Sequence, residues 1–202
     1  MTSHDVVNKI RRGLKVKKAG HAGTLDPMAT GVLVMGVGPA TRLNEYAMAS
    51  QKGYRARIKF GATTDTYDAE GETLIERDAS QLTYEAVEAA LAPFRGDIQQ
   101  VPPMYSAIKQ GGKKLYELAR AGETVERPPR PVTIHRLKLV EWDESGETPE
   151  CVLDVECSAG TYIRSLAYDL GEALAVGAHL TALRRTQSGT FTTDNAVSLD
   201  ML

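Results

Sequence analysis

The stretch PVTIHRLKLVEWDESGETPECVLDVECSAG, residues 131–160, contains two apolar segments separated by an acidic one. Residues 131–142 and 151–160 are rich in Val and Leu, which are common in buried strands. The segment between them contains Asp, Glu, Gly and Pro, and Asp, Gly and Pro are typical of turns. We therefore predict two antiparallel strands joined by an acidic turn.

A third strand is indicated by GYRARIKFG, residues 53–61, in which apolar and basic residues alternate. The apolar set that begins at Tyr54 and the basic set that begins at Arg55 would lie on opposite faces of this strand. Further strands are predicted over residues 31–38 and, as a short strand or turn, 189–197, and helices over residues 3–15, 40–49, 82–93, 115–122 and 161–177. Residues 63–72 are predicted to be a polar acidic loop and residues 98–114 an irregular segment.

These elements lack regular β-α-β units, so we predict an α+β domain with a mixed, mostly antiparallel sheet flanked by helices. A length of 202 residues, with 42% hydrophobic and 25% charged residues, is typical of a single folded domain. The net charge is only −2, but basic residues cluster in RRGLKVKK, residues 11–18. This cluster indicates either a basic face for a nucleic acid or a mixed solvated surface.

The chain has two cysteines, Cys151 and Cys157, whose spacing within one predicted strand would place them on the same face. We predict two buried, reduced thiols and, from the lack of a signal peptide or a long apolar run, a cytoplasmic protein without a membrane segment. A P-loop, a dinucleotide-binding glycine motif and a GxSxG motif are missing from the sequence, and its four histidines show no i,i+4 pairing. We therefore predict no metal and no cofactor.

One acid, Asp26, stands in the glycine-rich stretch GHAGTLDPMATGVL, residues 20–33. An Asp before Pro27 is typical of a turn. Glycines, however, let backbone approach a ligand closely, so Asp26 could also be a nucleophile or base in a rigid loop. The residues alone leave both interpretations open.

A second candidate is CSAGTYIRSLAYDLG, residues 157–171, which carries Tyr162 and Arg164 at the start of a predicted helix. An aromatic ring beside a guanidinium suits a planar or anionic ligand, although Arg164 could also serve a structural ion pair. Nothing in the spacing brings Arg164 to Asp26.

Four segments together resemble the TruB-type tRNA pseudouridine-55 synthases: residues 20–43, 52–72, 101–122 and 157–189. The resemblance covers nearly all of the chain, in the order and approximate spacing of that family. It implies the pseudouridine-synthase fold, with an active-site cleft across the sheet. It also implies isomerisation of a uridine in the TΨC arm of tRNA, without cofactor or metal. We expect no obligatory protein partner and take a monomer as the default.

The same resemblance implies roles for individual residues. Asp26 would be the essential carboxylate, which either attacks C1′ or removes a C2′ proton, and Arg164 would pair with it. Tyr54 would stack on the flipped uracil and act in catalysis, Tyr162 and Leu183 would line the base pocket, and His21 would face the RNA. Contacts to the RNA backbone are predicted for four basic residues: Lys17, Lys18, Arg184 and Arg185.

We expect residues 1–202 to form one catalytic domain, without the Asp-Lys-Pro-x-Gly segment and the C-terminal PUA domain that the family usually carries. Three alternatives remain at this point: a guide-RNA-dependent relative, an RNA-binding module that remodels tRNA without chemistry, and a glycosidase-like hydrolase. The hydrolase would need a second carboxylate across the scissile bond, and no second acid stands out in the sequence.

Overall fold

A computed structural model of the chain describes residues 1–201. The helices in this range are α1 Ser3–Gly13, α2 Asn44–Ala49, α3 Tyr84–Ala90, α4 Leu115–Arg120 and α5 Ile163–Ala173. The strands are β1 Ala19–His21, β2 Thr30–Gly31, β3 Met35–Val37, β4 Lys52–Phe60, β5 Ala62–Thr64, β6 Thr73–Glu76, β7 Gly96–Gln100, β8 Lys109–Gln110, β9 Lys113–Lys114, β10 Arg130–Asp143, β11 Glu150–Cys157, β12 Ala178–Ser188 and β13 Phe191–Thr192. Short 3₁₀ turns cover Gly38–Leu43, Ala92–Phe94, Thr193–Asn195 and Leu199–Met201.

The central sheet has seven strands, in the order β13-β12-β4-β11-β10-β7, with β2 added beside β12. Every pairing in it is antiparallel except that of β2 with β12. Strands β10 and β11 form the predicted hairpin, and the acidic segment joins them. The prediction of an α+β fold with a mixed, mostly antiparallel sheet is therefore confirmed.

The alternation in β4 separates an apolar face from a charged one. Ala56, Ile58 and Phe60 are fully buried, and they belong to the same hydrophobic cluster as the apolar residues of α5. On the opposite face, Arg55 forms a bidentate ion pair with Asp154 of β11, with two N···O distances of 2.8 Å. The site described below lies on the α5 side of the sheet.

Several local predictions are confirmed. Helix α1 begins with a capping box, in which Thr2 and Asp5 exchange hydrogen bonds, and α4 is followed by Gly122 at a φ of 75°. Cys151 and Cys157 are free and buried, and burial raises the pKa of these thiols to about 12 and about 11.

None of the helices within residues 1–201 has the length and apolar character needed to cross a bilayer.

The prediction of one buried strand over residues 31–38 is wrong. The chain turns at Gly31, where φ is 99°, so that β2 joins the central sheet while β3 pairs with β1 in a separate sheet. Strand β12 was not predicted, because two bulges, between Leu180 and Ala182 and between Arg185 and Gln187, interrupt its alternation. The edge strand β7 enters the segment that we predicted to be irregular.

Candidate active site

The Asp26 loop, residues 22–34 between β1 and β3, includes the short strand β2 and is tied to its surroundings at several points. The Leu25 amide donates a hydrogen bond to Ser3 Oγ (2.9 Å), which fixes the loop to the start of α1. The Ala29 amide donates to the Asp26 carbonyl (2.9 Å), so the loop turns sharply just after the carboxylate. The Asp26 side chain remains 32% exposed, which leaves it accessible to a ligand.

Arg164, in the first turn of α5, holds the Asp26 carboxylate with two hydrogen bonds. Nε donates to Oδ2 (3.0 Å) and Nη2 to Oδ1 (2.9 Å). The Arg164 side chain is only 6% exposed, and it also donates to the carbonyls of Thr66 (3.1 Å) and Tyr105 (3.0 Å). Because the fork of an arginine is planar, these four bonds fix the orientation of the carboxylate as well as its position.

A second carboxylate, Asp68, lies on the same arginine. Its Oδ2 is 3.6 Å from Arg164 Nε, and its side chain is also 6% exposed. Its Oδ1 accepts hydrogen bonds from Thr66 Oγ1 (2.6 Å) and from the Glu70 amide (3.0 Å). Asp68 was missed at the sequence level, where residues 63–72 were predicted to be a polar loop, since nothing in that stretch marks one acid as buried.

The loop that carries Asp68 has its own support. Tyr67 adopts a φ of 63°, and its ring stacks on that of Tyr168 in α5, with 4.1 Å between ring centroids. The stack joins the loop to the helix that supplies Arg164. A non-glycine residue in this backbone region is held there by its surroundings, so we interpret the loop as fixed.

Gln100, at the end of β7, is a further residue that the sequence did not single out. It is 2% exposed, and its side-chain amide accepts from the Tyr162 amide (2.8 Å) and donates to the Tyr162 carbonyl (3.0 Å). These two bonds hold the residue that precedes α5, two positions before Arg164. A Gln in the segment IQQVPPMYS carries no sequence signal for this role.

Tyr54 and Tyr162 both lie close enough to Asp26 for its charge to act on their hydroxyls. Burial is the largest cause that raises the pKa of each phenol, and the Asp26 carboxylate adds to it. The structure therefore brings together the carboxylate, the arginine and the two aromatic rings that the sequence singled out. Their individual roles remain predictions.

His21, in β1, is half-buried, and its Nδ1 has no hydrogen-bond partner within residues 1–201. Burial, with the nearby Arg185 as a second cause, lowers its pKa and favours the neutral imidazole. Leu183, in β12, is buried in the main hydrophobic cluster.

The four basic residues predicted to contact the RNA backbone fall into two groups. Lys17, Lys18 and Arg184 are exposed, as a phosphate contact requires. Arg185 is only 2% exposed, and its side chain is bound to backbone carbonyls of the Asp26 loop. The burial of Arg185 therefore does not support a phosphate contact by its side chain. Arg184 and Arg185 differ in exposure because neighbouring residues of a strand point to opposite faces.

A groove of about 550 Å³ also borders Asp26, on the side of α1. Its walls are mostly apolar and include Val6, Val32 and Phe191 but neither Tyr54 nor Tyr162. It is therefore not the predicted base pocket. Within residues 1–201, no group of three or more His, Cys, Asp or Glu side chains is arranged to hold a metal ion, so we assign no metal ligands.

Two family models match the chain. Residues 11–163 match the TruB family pseudouridylate synthase N-terminal domain, and residues 164–202 match the tRNA pseudouridylate synthase B C-terminal domain. The boundary falls at the start of α5, yet β12 from the second segment pairs with β4 from the first. The two matched segments therefore build one sheet.

Curated relatives cover the whole chain. It is 58% identical over 202 residues to tRNA pseudouridine synthase B of Symbiobacterium thermophilum and spans 67% of that protein. It is 52% identical over 202 residues to tRNA pseudouridine synthase B of Mycobacterium avium and spans 65% of that protein. A solved Cbf5-Nop10-Gar1 complex matches with a TM-score of 0.71 at 32% identity over 95% of this chain and 46% of the matched chain. An archaeal box H/ACA sRNP Nop10-Cbf5 complex matches with a TM-score of 0.71 at 29% identity over 99% of this chain and 48% of that one. The chain thus spans about two thirds of these curated relatives and just under half of these solved chains.

Proposed function

Because the chain belongs to the TruB family of pseudouridylate synthases, we propose that it converts a uridine of tRNA to pseudouridine, at position 55 in the TΨC loop. The observation that carries this proposal is the Asp26–Arg164 pair, a partly exposed carboxylate fixed by a buried guanidinium. Its charge acts on the hydroxyls of Tyr54 and Tyr162. The position in the tRNA follows from the resemblance described above. The residue roles below belong to the same proposal.

The reaction breaks the N1–C1′ bond of the uridine and joins C5 to C1′. Asp26 acts in one of two ways: it attacks C1′ and forms an ester while the uracil leaves, or it takes the C2′ proton and gives a glycal. In the first route C5 displaces the carboxylate; in the second it adds to C1′, and C2′ recovers a proton. In both, C5 loses a proton and N1 gains one, so the net change is an isomerisation.

The two tyrosines suit a base that has left its stack. Flipping a base costs a few kcal/mol, and an aromatic contact recovers about 1–3 kcal/mol. Tyr54 would stack on the flipped uracil, while Tyr162 and Leu183 line its pocket. A detached uracil must stay bound while it turns, which an apolar wall favours. His21, with its neutral imidazole, would face the RNA where the base left.

The partner that we propose is tRNA alone, bound through its TΨC arm to a monomer. Lys17, Lys18 and Arg184 are exposed and would contact its phosphates. The Cbf5 chains in the solved complexes are bound to Nop10 and Gar1, or to Nop10. A guide-dependent function is not favoured, because relatives at 50–58% identity over the whole chain are tRNA pseudouridine synthases.

The proposal is tested by tritium release from a tRNA labelled at uridine C5. Wild type should release tritium, whereas Asp26→Asn should release none and still bind tRNA. Asp154→Asn is a matched control, because Asp154 is 34% exposed and also forms a bidentate pair with an arginine, but on the opposite face of the sheet. Equal loss of activity in both variants, or full activity in Asp26→Asn, would refute the role of Asp26. No release by the wild type would favour a binding module without chemistry.

A further inference from the structure

Arg185 is a buried arginine whose side chain donates hydrogen bonds to three backbone carbonyls. Its Nε donates to Val32 (2.7 Å), its Nη2 to Gly23 (3.1 Å) and its Nη1 to Thr24 (3.3 Å). Within residues 1–201, no carboxylate lies within ion-pair distance of it. A buried charge is costly unless it is hydrogen-bonded, so these carbonyls are what makes its position tolerable.

Its acceptors lie on both sides of the catalytic carboxylate in the chain. Gly23 and Thr24 come shortly before Asp26, and Val32 comes six residues after it. One side chain therefore closes the loop that carries Asp26. Two other side chains bind this loop, but each at one residue: Arg164 at the Asp26 carboxylate and Ser3 at Leu25.

The backbone of Arg185 holds the same loop. The Val32 amide donates to the Arg185 carbonyl (2.8 Å), and Gly31 is its partner in the parallel β2–β12 pairing. A Cβ at Gly31 would overlap that carbonyl, so glycine is needed for this close approach. On its other side, Arg185 pairs with Tyr54 of β4. Arg185 thus joins the Asp26 loop to the strand that carries Tyr54.

We propose that Arg185 is a positioning residue for the reaction, which sets the place of Asp26 relative to Tyr54 by closing the Asp26 loop from β12. The inference rests on the proposed function of this site. It replaces the phosphate contact that the sequence predicted for this residue. A planar fork that serves three carbonyls explains why arginine is suited to the position, because a lysine ammonium is a point donor on a flexible stem.

The expected effect is on turnover and not on tRNA affinity. Displacement of a catalytic group by about 1 Å can cost about 100-fold in rate. We therefore expect Arg185→Gln to lower kcat by about 100-fold while the Kd for tRNA changes by less than about threefold. Arg185→Lys should recover part of kcat, because an ammonium can still reach one or two of the carbonyls.

The neighbouring Arg184 provides a matched control, since it is exposed on the opposite face of the same strand. Arg184→Gln should act through tRNA affinity: it should weaken tRNA binding and lower the salt dependence of log Kd by about 1. If Arg185→Gln behaves in this way, Arg185 is a phosphate contact and the inference is wrong. An unchanged kcat in Arg185→Gln also overturns it.

Amide hydrogen exchange separates positioning from a general loss of stability. In Arg185→Lys, which keeps the charge, we expect faster exchange confined to residues 22–32, including the Ala29 amide bonded to the Asp26 carbonyl. Faster exchange throughout β4 and β12 would mean a merely structural role and would overturn the inference. If wild type releases no tritium, the proposed function fails, whereas the exchange pattern still decides whether Arg185 holds the loop.

Discussion

Replacement of Arg164 by methionine, which has a similar length but no charge, removes four hydrogen bonds from a buried site. Loss of one partner of a buried ion pair typically costs about 3–5 kcal/mol of stability. We expect a loss in this range, because Asp68, at 6% exposure, would lose the cation beside it, and two carbonyls would lose their donor. Asp26, at 32% exposure, can be hydrated instead and should contribute less.

A double-mutant cycle tests this division. In the Arg164→Met background, Asp68→Asn should recover about 1–3 kcal/mol, whereas Asp26→Asn should recover less than about 1 kcal/mol. The free energy of unfolding is measured by urea titration, with unchanged m-values as the condition for comparison. Arg55→Met is the control, because it breaks a bidentate pair at 51% and 34% exposure and should cost less than about 1 kcal/mol. Equal recovery by the two Asn variants, or a loss in Arg164→Met no larger than in Arg55→Met, would refute the reasoning.

Three further predictions concern turnover, RNA binding and pH. Tyr54→Ala should reduce tritium release far more than tRNA binding, because stacking on the flipped base is lost; near-wild-type rates would remove Tyr54 from the site. The double variant Lys17→Ala, Lys18→Ala should lower the salt dependence of tRNA binding by about 1–2 in log Kd against log salt, and an unchanged slope would exclude phosphate contacts there. Burial raises the pKa of Asp169 from 3.8 to about 6, so the folded protein binds a proton at this carboxyl more tightly than the unfolded chain does. The contribution of Asp169 to the free energy of unfolding therefore falls as pH rises from about 4 to 6. Asp169→Asn should therefore stabilise the protein above pH 6 by about 1–2 kcal/mol, allowing for solvent screening, and by nothing near pH 4; a gain independent of pH in urea titrations would contradict this cause.

Local patterns in the sequence were sufficient for the elements whose environment is uniform along their length. The alternation in β4 predicted its two faces, and the capping box at Thr2 predicted the start of α1. The Asp26 loop was found as a candidate because glycines and a proline surround a single acid. In each case the signal lies within about ten residues, which is the range over which periodicity and turn preferences act.

The remaining parts of the site depend on contacts that are distant in sequence. Asp68 and Gln100 stand in polar stretches, yet both are buried beside residues that are distant in sequence, namely Arg164 in α5 and Tyr162 just before it. Arg184 and Arg185 are chemically identical neighbours, so only the register of β12 against β4 decides which one is buried. The bulge between Leu180 and Ala182, just before these residues, shifts that register, and periodicity does not reveal it.

The site also shows that the two family-matched segments depend on each other physically. Arg164 and Arg185 belong to the segment 164–202, whereas Asp26 and the carbonyls that these arginines bind belong to the segment 11–163. Strand β12 further supplies one of the two sheet neighbours of β4, which carries Tyr54. Without residues 164–202, the Asp26 loop would lose both guanidinium contacts and β4 would become an exposed edge. The boundary between the two models therefore does not separate two folding units, because the carboxylate and the groups that orient it come from opposite sides of that boundary.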